Sequence, residues 1–262
     1  MLGAVAGDII GSPYEFHNIK TKDFPLFCEQ SHFTDDTILT CATAEWLLTG
    51  NNPSDVFRKW GNLYINRTYE NNKIHAFGKV FLTWLNTGQA YQAKTNGCVM
   101  RISPIGLMIT DLKTALAKAE QLTNMTHNHP ESLLATRAYI ETMYMLKIKT
   151  DVSVIKKQIF QKYGYNLYQK IDDIRPHYNK FYCSCKMSVP QAIICALNAT
   201  SYEDAVRNAV SLGGDSDTLA CMAGGLAEIR FGVPEYVKNQ VLKRLDTSMK
   251  TLMENFYQKT RE

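Results

Sequence analysis

The stretch Ser211-Leu-Gly-Gly-Asp-Ser-Asp-Thr-Leu-Ala220 sets two glycines, two carboxylates and two hydroxyls at the mouth of an apolar run, residues 219–229, that reads as a helix. Glycines supply the turn, and Asp or Ser cap the orphan N–H groups of a helix start. Asp215 and Asp217 stand too close for both to ionise cheaply, because like charges within a few ångströms push one pKa up, unless a cation lies between them. A capped helix start and a metal-ligand pair are therefore both open readings, and one segment can be both.

Helical periodicity governs the chain on either side. Residues 111–123 carry Leu112, Ala115, Leu116, Ala119 and Leu122 on one stripe, 131–147 follow Pro130, and 151–163 repeat the pattern with Val152, Ile155 and Ile159. Residues 188–199, 203–212, 217–230, 234–245 and 247–257 are further predicted helices, several opened by a capping residue or a proline. Near the start, residues 2–10 read as a short helix whose Gly3, Ala4, Ala6 and Gly7 allow close packing, ended by Gly11-Ser-Pro13. No alternating strand pattern exceeds a few residues, so the chain is predicted all-α. Residues 164–187, rich in Tyr, Lys and Asp, read as a loop lid or an excursion from the helices.

With 262 residues, 45% apolar and 21% charged, the chain can bury a sizeable core, and one domain over 1–262 is expected. No apolar run approaches bilayer length, and Asp8 interrupts the opening apolar stretch, so no membrane association is expected and a cytoplasmic location follows. Seven scattered cysteines, an odd number, point to reduced thiols. A net charge of +4 without a dense Lys/Arg block gives no nucleic-acid signature.

The acid-rich helix mouth recurs. Phe33-Thr-Asp-Asp-Thr37 precedes a helical pattern with apolar positions 38, 41, 42 and 46; Thr34 reads as its N-cap, with Asp35 and Asp36 in the first turn, where the helix dipole favours negative charge. Two such mouths facing each other would make an oxygen-only cage for divalent cations. Asp8 and Glu15 fall where the chain leaves the core, and either alone reads as a solvated surface acid. Thr95-Asn-Gly-Cys-Val-Met-Arg-Ile-Ser-Pro104 joins a turn-forming Asn-Gly to Arg101, which suits a phosphate cradle or an ordinary turn with a surface charge. His127 and His129 precede a helix start and read first as structural loop residues.

Taken in order, Gly7-Asp-Ile-Ile-Gly-Ser-Pro-Tyr-Glu15, Phe33–Thr37, Asn96-Gly-Cys-Val-Met-Arg101, Thr126-His127 and Gly213-Gly-Asp-Ser-Asp-Thr218 resemble the ADP-ribosylglycohydrolase family from residue 3 to about 235. The resemblance implies a compact, single-domain orthogonal helical bundle with a di-metal cleft holding two Mg²⁺ ions, or Mn²⁺. By position, the ligands would be Thr34, Asp35, Asp36, Asp215, Asp217 and Thr218. Five carboxylates, Glu15 included, against two divalent cations leave about one negative charge, and oxygen-only ligation favours Mg²⁺ or Mn²⁺ over Zn²⁺. The implied reaction is hydrolysis of the bond between ADP-ribose and an acceptor. Glu15, Asp35 or Asp36 would activate the water; Asn96, Gly97, Met100 and Arg101 would meet the pyrophosphate or ribose, and His127 would line the ribose pocket. The implied partner is an ADP-ribosylated protein, with arginine as the default acceptor, or a small ADP-ribose conjugate, acted on by a monomer. Serine-linked and O-acetyl-ADP-ribose remain alternatives, as does a non-catalytic binder on the same scaffold. A metal-free acid/base pair would separate two carboxyls across the sugar rather than cluster four aspartates. Thr95 stands where many relatives have glycine and Cys98 where alanine is usual.

Overall fold

The computed structural model describes residues 1–69 and 74–261. Among them, fourteen α-helices follow one another: α1 (Leu2–Gly11), α2 (Asp35–Thr49), α3 (Pro53–Leu63), α4 (Lys79–Thr87), α5 (Ser103–Met108), α6 (Leu112–Thr126), α7 (Pro130–Lys147), α8 (Val152–Tyr163), α9 (Ile171–Ile174), α10 (Cys185–Leu197), α11 (Tyr202–Leu212), α12 (Ser216–Phe231), α13 (Glu235–Arg244) and α14 (Thr247–Lys259). The strands among the described residues, β1 (Thr68–Tyr69) and β2 (Ile74–His75), pair antiparallel as a small hairpin. The all-α expectation holds. The helices predicted downstream of residue 110 form within a few residues of the expected bounds. Helices α3, α4, α5 and α9 add to the sequence reading.

Capping explains many of the boundaries. Asn52 accepts from Ser54 N ahead of Pro53, Asp111 from Thr114 N, Ser201 from Asp204 N, and Asp246 from Met249 N. Gly50, Gly88 and Gly164 close α2, α4 and α8 at positive φ. Helix α10 begins at Cys185, three residues ahead of the expected Ser188, and keeps Pro190 inside it. As the sixth residue of the helix, the proline gives up the N–H bond to the Lys186 carbonyl.

Two helices with no polar face make the centre. Every residue of α1 is buried, as is α12 from Ser216 through Ala227. They pack against each other, and α12 also carries α10 and α11, while α2 lies against α3, α5 and α14. Glycines allow the close approach of α1 to α12. A Cβ on Gly7 would sit 2.0 Å from the Ala220 carbonyl oxygen, and one on Gly11 2.5 Å from Asp217 Cα. No L side chain fits there, so the glycines fix the distance at which acids on the two helices meet.

Residues 164–187 do not hang free. Tyr165, Leu167, Ile174 and Tyr178 are buried and Arg175 Nε donates to Ser211 Oγ at 3.0 Å, so the segment lies on the helical body as a pinned excursion. Its end runs beside the 95–98 turn, where Asn96 N donates to the Cys183 carbonyl and Cys185 N to the Lys94 carbonyl.

Candidate active site

The close α1–α12 crossing delivers Asp8 and Asp217 to one place, and the mouth of α2 meets them there. Asp8 is fully buried, which corrects its reading as a solvated surface acid. Its carboxylate accepts from Thr34 N at 3.0 Å, Thr37 N at 3.1 Å and Thr34 Oγ1 at 2.7 Å, and from the Thr37 hydroxyl. Asp8 thus satisfies the N-terminus of α2 from outside, as an anion at the positive end of a helix. Thr34 is the N-cap as expected, its hydroxyl accepting from Asp36 N at 3.4 Å. Sequence reading missed Asp8 as a site residue. The signal was present: an acid among Gly3, Gly7 and Gly11 lies on a helix built for close packing.

Asp8, Asp36 and Asp217 each present an oxygen within 4.8 Å of the others, and so do Glu15, Asp215 and Asp217. Two carboxylate triads therefore share Asp217. Asp36 Oδ1 and Asp217 Oδ1 are buried without a hydrogen-bond partner, while Asp36 Oδ2 accepts from Thr218 Oγ1 at 3.2 Å. Asp215 Oδ2 accepts from Asn96 Nδ2 at 2.7 Å. Asp35 belongs to neither triad but lies on the cleft wall with part of its surface open.

Electrostatics sharpens the reading. Burial pushes the carboxyls of Asp8, Asp36, Asp215 and Asp217 above the ordinary range, and neighbouring carboxylates add to the push at Asp36 and Asp217. Asp35 is pushed up to about 8 by burial, then by Asp8 and Asp215. At 4 Å and an effective dielectric of 20, two unit charges repel by about 4 kcal/mol. Such a cluster ionises only with a cation in it. The donors are carboxylates and the Thr34 and Thr218 hydroxyls, and two carboxylate oxygens stand unpaired, so the residues fit hard divalent cations.

The remaining expected residues line the same cleft, of about 440 Å³. Gly97 presents bare backbone: a Cβ there would meet His127 Nε2 at 3.4 Å, an ordinary contact, so the protein's own packing does not demand glycine at this position. Met100 is buried on the wall, and its carbonyl accepts from the Cys221 thiol. Arg101 is no surface charge. It is fully buried, with Nη2 donating to the Leu122 carbonyl at 3.2 Å and Thr126 Oγ1 at 2.6 Å, its guanidinium over the Phe57 ring. Among the described residues its Nε and Nη1 have no partner. His127 caps the end of α6 and is satisfied on both ring nitrogens, Nε2 by Thr95 Oγ1 at 2.9 Å and Nδ1 by Thr126 Oγ1 at 2.8 Å. Burial, then Arg101, holds its pKa well below the usual value, so the ring is neutral. The ring packs against that of Tyr91, centroids 4.7 Å apart. Cys98 is buried against Cys185, Sγ to Sγ 3.7 Å, and is not among the residues lining the cleft.

An all-helical body with two acid-rich helix mouths and a bare Asn-Gly turn on one cleft defines a class: helical proteins whose clustered carboxylates could hold metal ions beside an exposed Asn-Gly turn. The chain belongs to the ADP-ribosylglycohydrolase family, whose sequence profile matches residues 1–262. Matching solved structures number 46 chains. One, described as an "ADP-ribosylglycohydrolase-related protein complex", has a TM-score of 0.69 over 99% of this chain and 97% of its own at 19% identity, which speaks for the fold alone. No curated protein matches the sequence. Family membership supports hydrolysis of an ADP-ribose conjugate, and among the described residues no helix is long and apolar enough to cross a membrane.

Proposed function

We propose that this protein is a Mg²⁺-dependent glycohydrolase that releases ADP-ribose from an acceptor, with arginine-linked ADP-ribose as the substrate. The observation that carries the reading is the pair of carboxylate triads sharing Asp217, set beside the bare backbone of Gly97. Asp36, Asp215, Asp217, Thr34 and Thr218 would hold two divalent cations, with Glu15 and Asp35 at the open side; Mg²⁺ suits an oxygen-only donor set, and Mn²⁺ would substitute. Cations held there supply electrostatic stabilisation of the charge that develops on the sugar.

The chain's own residues do the rest. Asn96 and Gly97 orient the pyrophosphate and ribose, with Met100, Arg101 and the neutral His127 shaping the wall. A water attacks the anomeric carbon, the bond to the acceptor breaks, and the water's proton passes to a carboxylate. Asp36, at 1% exposure, is too enclosed for that exchange, which leaves Glu15 and Asp35, the two acids with surface facing the cleft. The protein would act as a monomer in the cytoplasm, where its seven free cysteines stay reduced. Release of ADP-ribose from arginine-modified protein in Mg²⁺ tests the reading. EDTA and Asp35→Ala should each lower turnover by at least about a thousandfold, and undiminished turnover in EDTA would refute the metal-dependent mechanism.

A further inference from the structure

Two aromatic pairs face the cleft. Tyr91 and His127 pack together beside Thr95 and Gly97, the neighbours of Asn96, whose amide holds Asp215. Phe16 and Phe181 stack with centroids 5.8 Å apart and planes 5° from parallel; Phe16 follows Glu15, and Phe181 follows Lys180, whose carbonyl lies against Gly214. Both phenylalanines line the cleft, yet they are 51% and 50% exposed. The packing of the chain does not account for large rings left half open at the rim of a polar site.

This end of the cleft is built with care. Gly214 has φ +73°, and a Cβ on it would come within 2.8 Å of Tyr178 Cε1 and 3.0 Å of the Lys180 carbonyl oxygen. Glycine therefore lets residues 178–181 lie directly on the turn that carries Asp215. Asn18 Nδ2 donates to the Tyr14, Glu15 and Gly214 carbonyls, and its Oδ1 accepts from Gly214 N at 2.7 Å. Lys20 Nζ donates to the Tyr178 carbonyl at 2.5 Å and to the Leu212 carbonyl. The segments bearing Phe16 and Phe181 are thus tied to each other and to the Asp215 turn, although 165 residues separate the rings (181 less 16).

We propose that Phe16 and Phe181 form the acceptor-recognising platform, taking the planar guanidinium of arginine-linked ADP-ribose on their open faces. This rests on the ADP-ribose reading of the site. A nucleotide seated along Asn96, Gly97 and His127 places the sugar over the acids, and the group leaving the anomeric carbon then faces the phenylalanine end. Six carboxylates (Asp8, Glu15, Asp35, Asp36, Asp215 and Asp217) against the four charges of two divalent ions leave a negative excess. A cation over an aromatic face in that field is favourable, and a hydroxyl acceptor gains nothing from it.

Agmatine, a free guanidinium compound, serves as the probe, titrated by calorimetry into protein saturated with ADP-ribose and Mg²⁺. Wild type and Phe16→Tyr are expected to bind it. Phe16→Ala and Phe181→Ala are expected to bind it about tenfold more weakly, with melting temperature unchanged and ADP-ribose affinity within about twofold of wild type. Equal loss of ADP-ribose and agmatine in the alanine variants would make the pair part of the nucleotide end and overturn the proposal. Agmatine binding that is absent in wild type, or the same in wild type and variants, would overturn it too. If ADP-ribose itself fails to bind wild type, the underlying reading falls, and the proposal with it.

Discussion

The mouths of α2 and α12 are near copies in sequence, yet the fold holds them in different ways. At α2, Thr34 caps the helix itself and Asp8 of α1 takes the Thr34 and Thr37 N–H groups. At α12, Asp215 occupies the cap position without making a side-chain cap bond, and its carboxylate is held instead by the amide of Asn96. At α2 a side chain from a distant part of the chain, Asp8, thus does part of the work of a local cap, whereas at α12 the distant Asn96 amide donates to Asp215 and orients that carboxylate. The acids of each mouth are released toward the cleft, where Asp36 and Asp217 keep unpaired oxygens. In sequence, a capped helix start and a metal site look alike; what separates them is which residue satisfies the helix N–H groups.

The largest effect expected from this arrangement spans both mouths. In metal-free protein Asp35 is held at about 8, against about 3.9 in the unfolded chain. Between those values the folded state carries the extra proton, so stability falls as pH rises from about 4 to about 8. Melting temperature should therefore drop over that range without metal, and Mg²⁺ should flatten the profile. A flat metal-free profile would break the claim that the two mouths press their charges together. Next in size is Asp8→Asn, which sets an amide donor against the donors of Thr34 and Thr37 and should cost about 2–3 kcal/mol in denaturant unfolding. Asn96→Ala acts on the other mouth, and there the loss should be one of function. With Asp215 no longer oriented, metal affinity should fall about tenfold with little change in stability. Equal stability losses from the two substitutions would erase the distinction between the mouths.

The long amphipathic helices were legible because their stripes are regular: α8 runs Val152–Tyr163 where the sequence placed 151–163. Helix α3 carries a comparable stripe, with Val56, Phe57 and Trp60 buried, and is missing from the sequence reading all the same; α4 and α5 are shorter, with mainly local cues such as Gly88 at the end of α4. The two helix mouths and the Asn-Gly turn were readable as chemistry, since residue types and order carry them. Asp8 left only a partial signal, an acid among glycines, because where it lands depends on an α1–α12 approach set by glycines more than 200 residues apart (Gly3 and Gly224). Arg101 and His127 each had two readings open, a cleft residue or an ordinary one. The fold buries both on the cleft wall, which rules out a surface charge for Arg101, and occupies much of their bonding capacity with Leu122, Thr126 and Thr95. Phe16 and Phe181 leave no pattern in sequence, since only the folded chain brings their rings together.

The central claim is that the two mouths build adjoining cation sites through a shared Asp217. Equilibrium dialysis with Mn²⁺ counts the ions bound per chain, in wild type and in an Asp217→Ala variant whose helicity is checked by circular dichroism. The account predicts two ions on wild type and neither on the variant at concentrations that saturate wild type. A single ion on wild type, or a folded variant that keeps both, would contradict it.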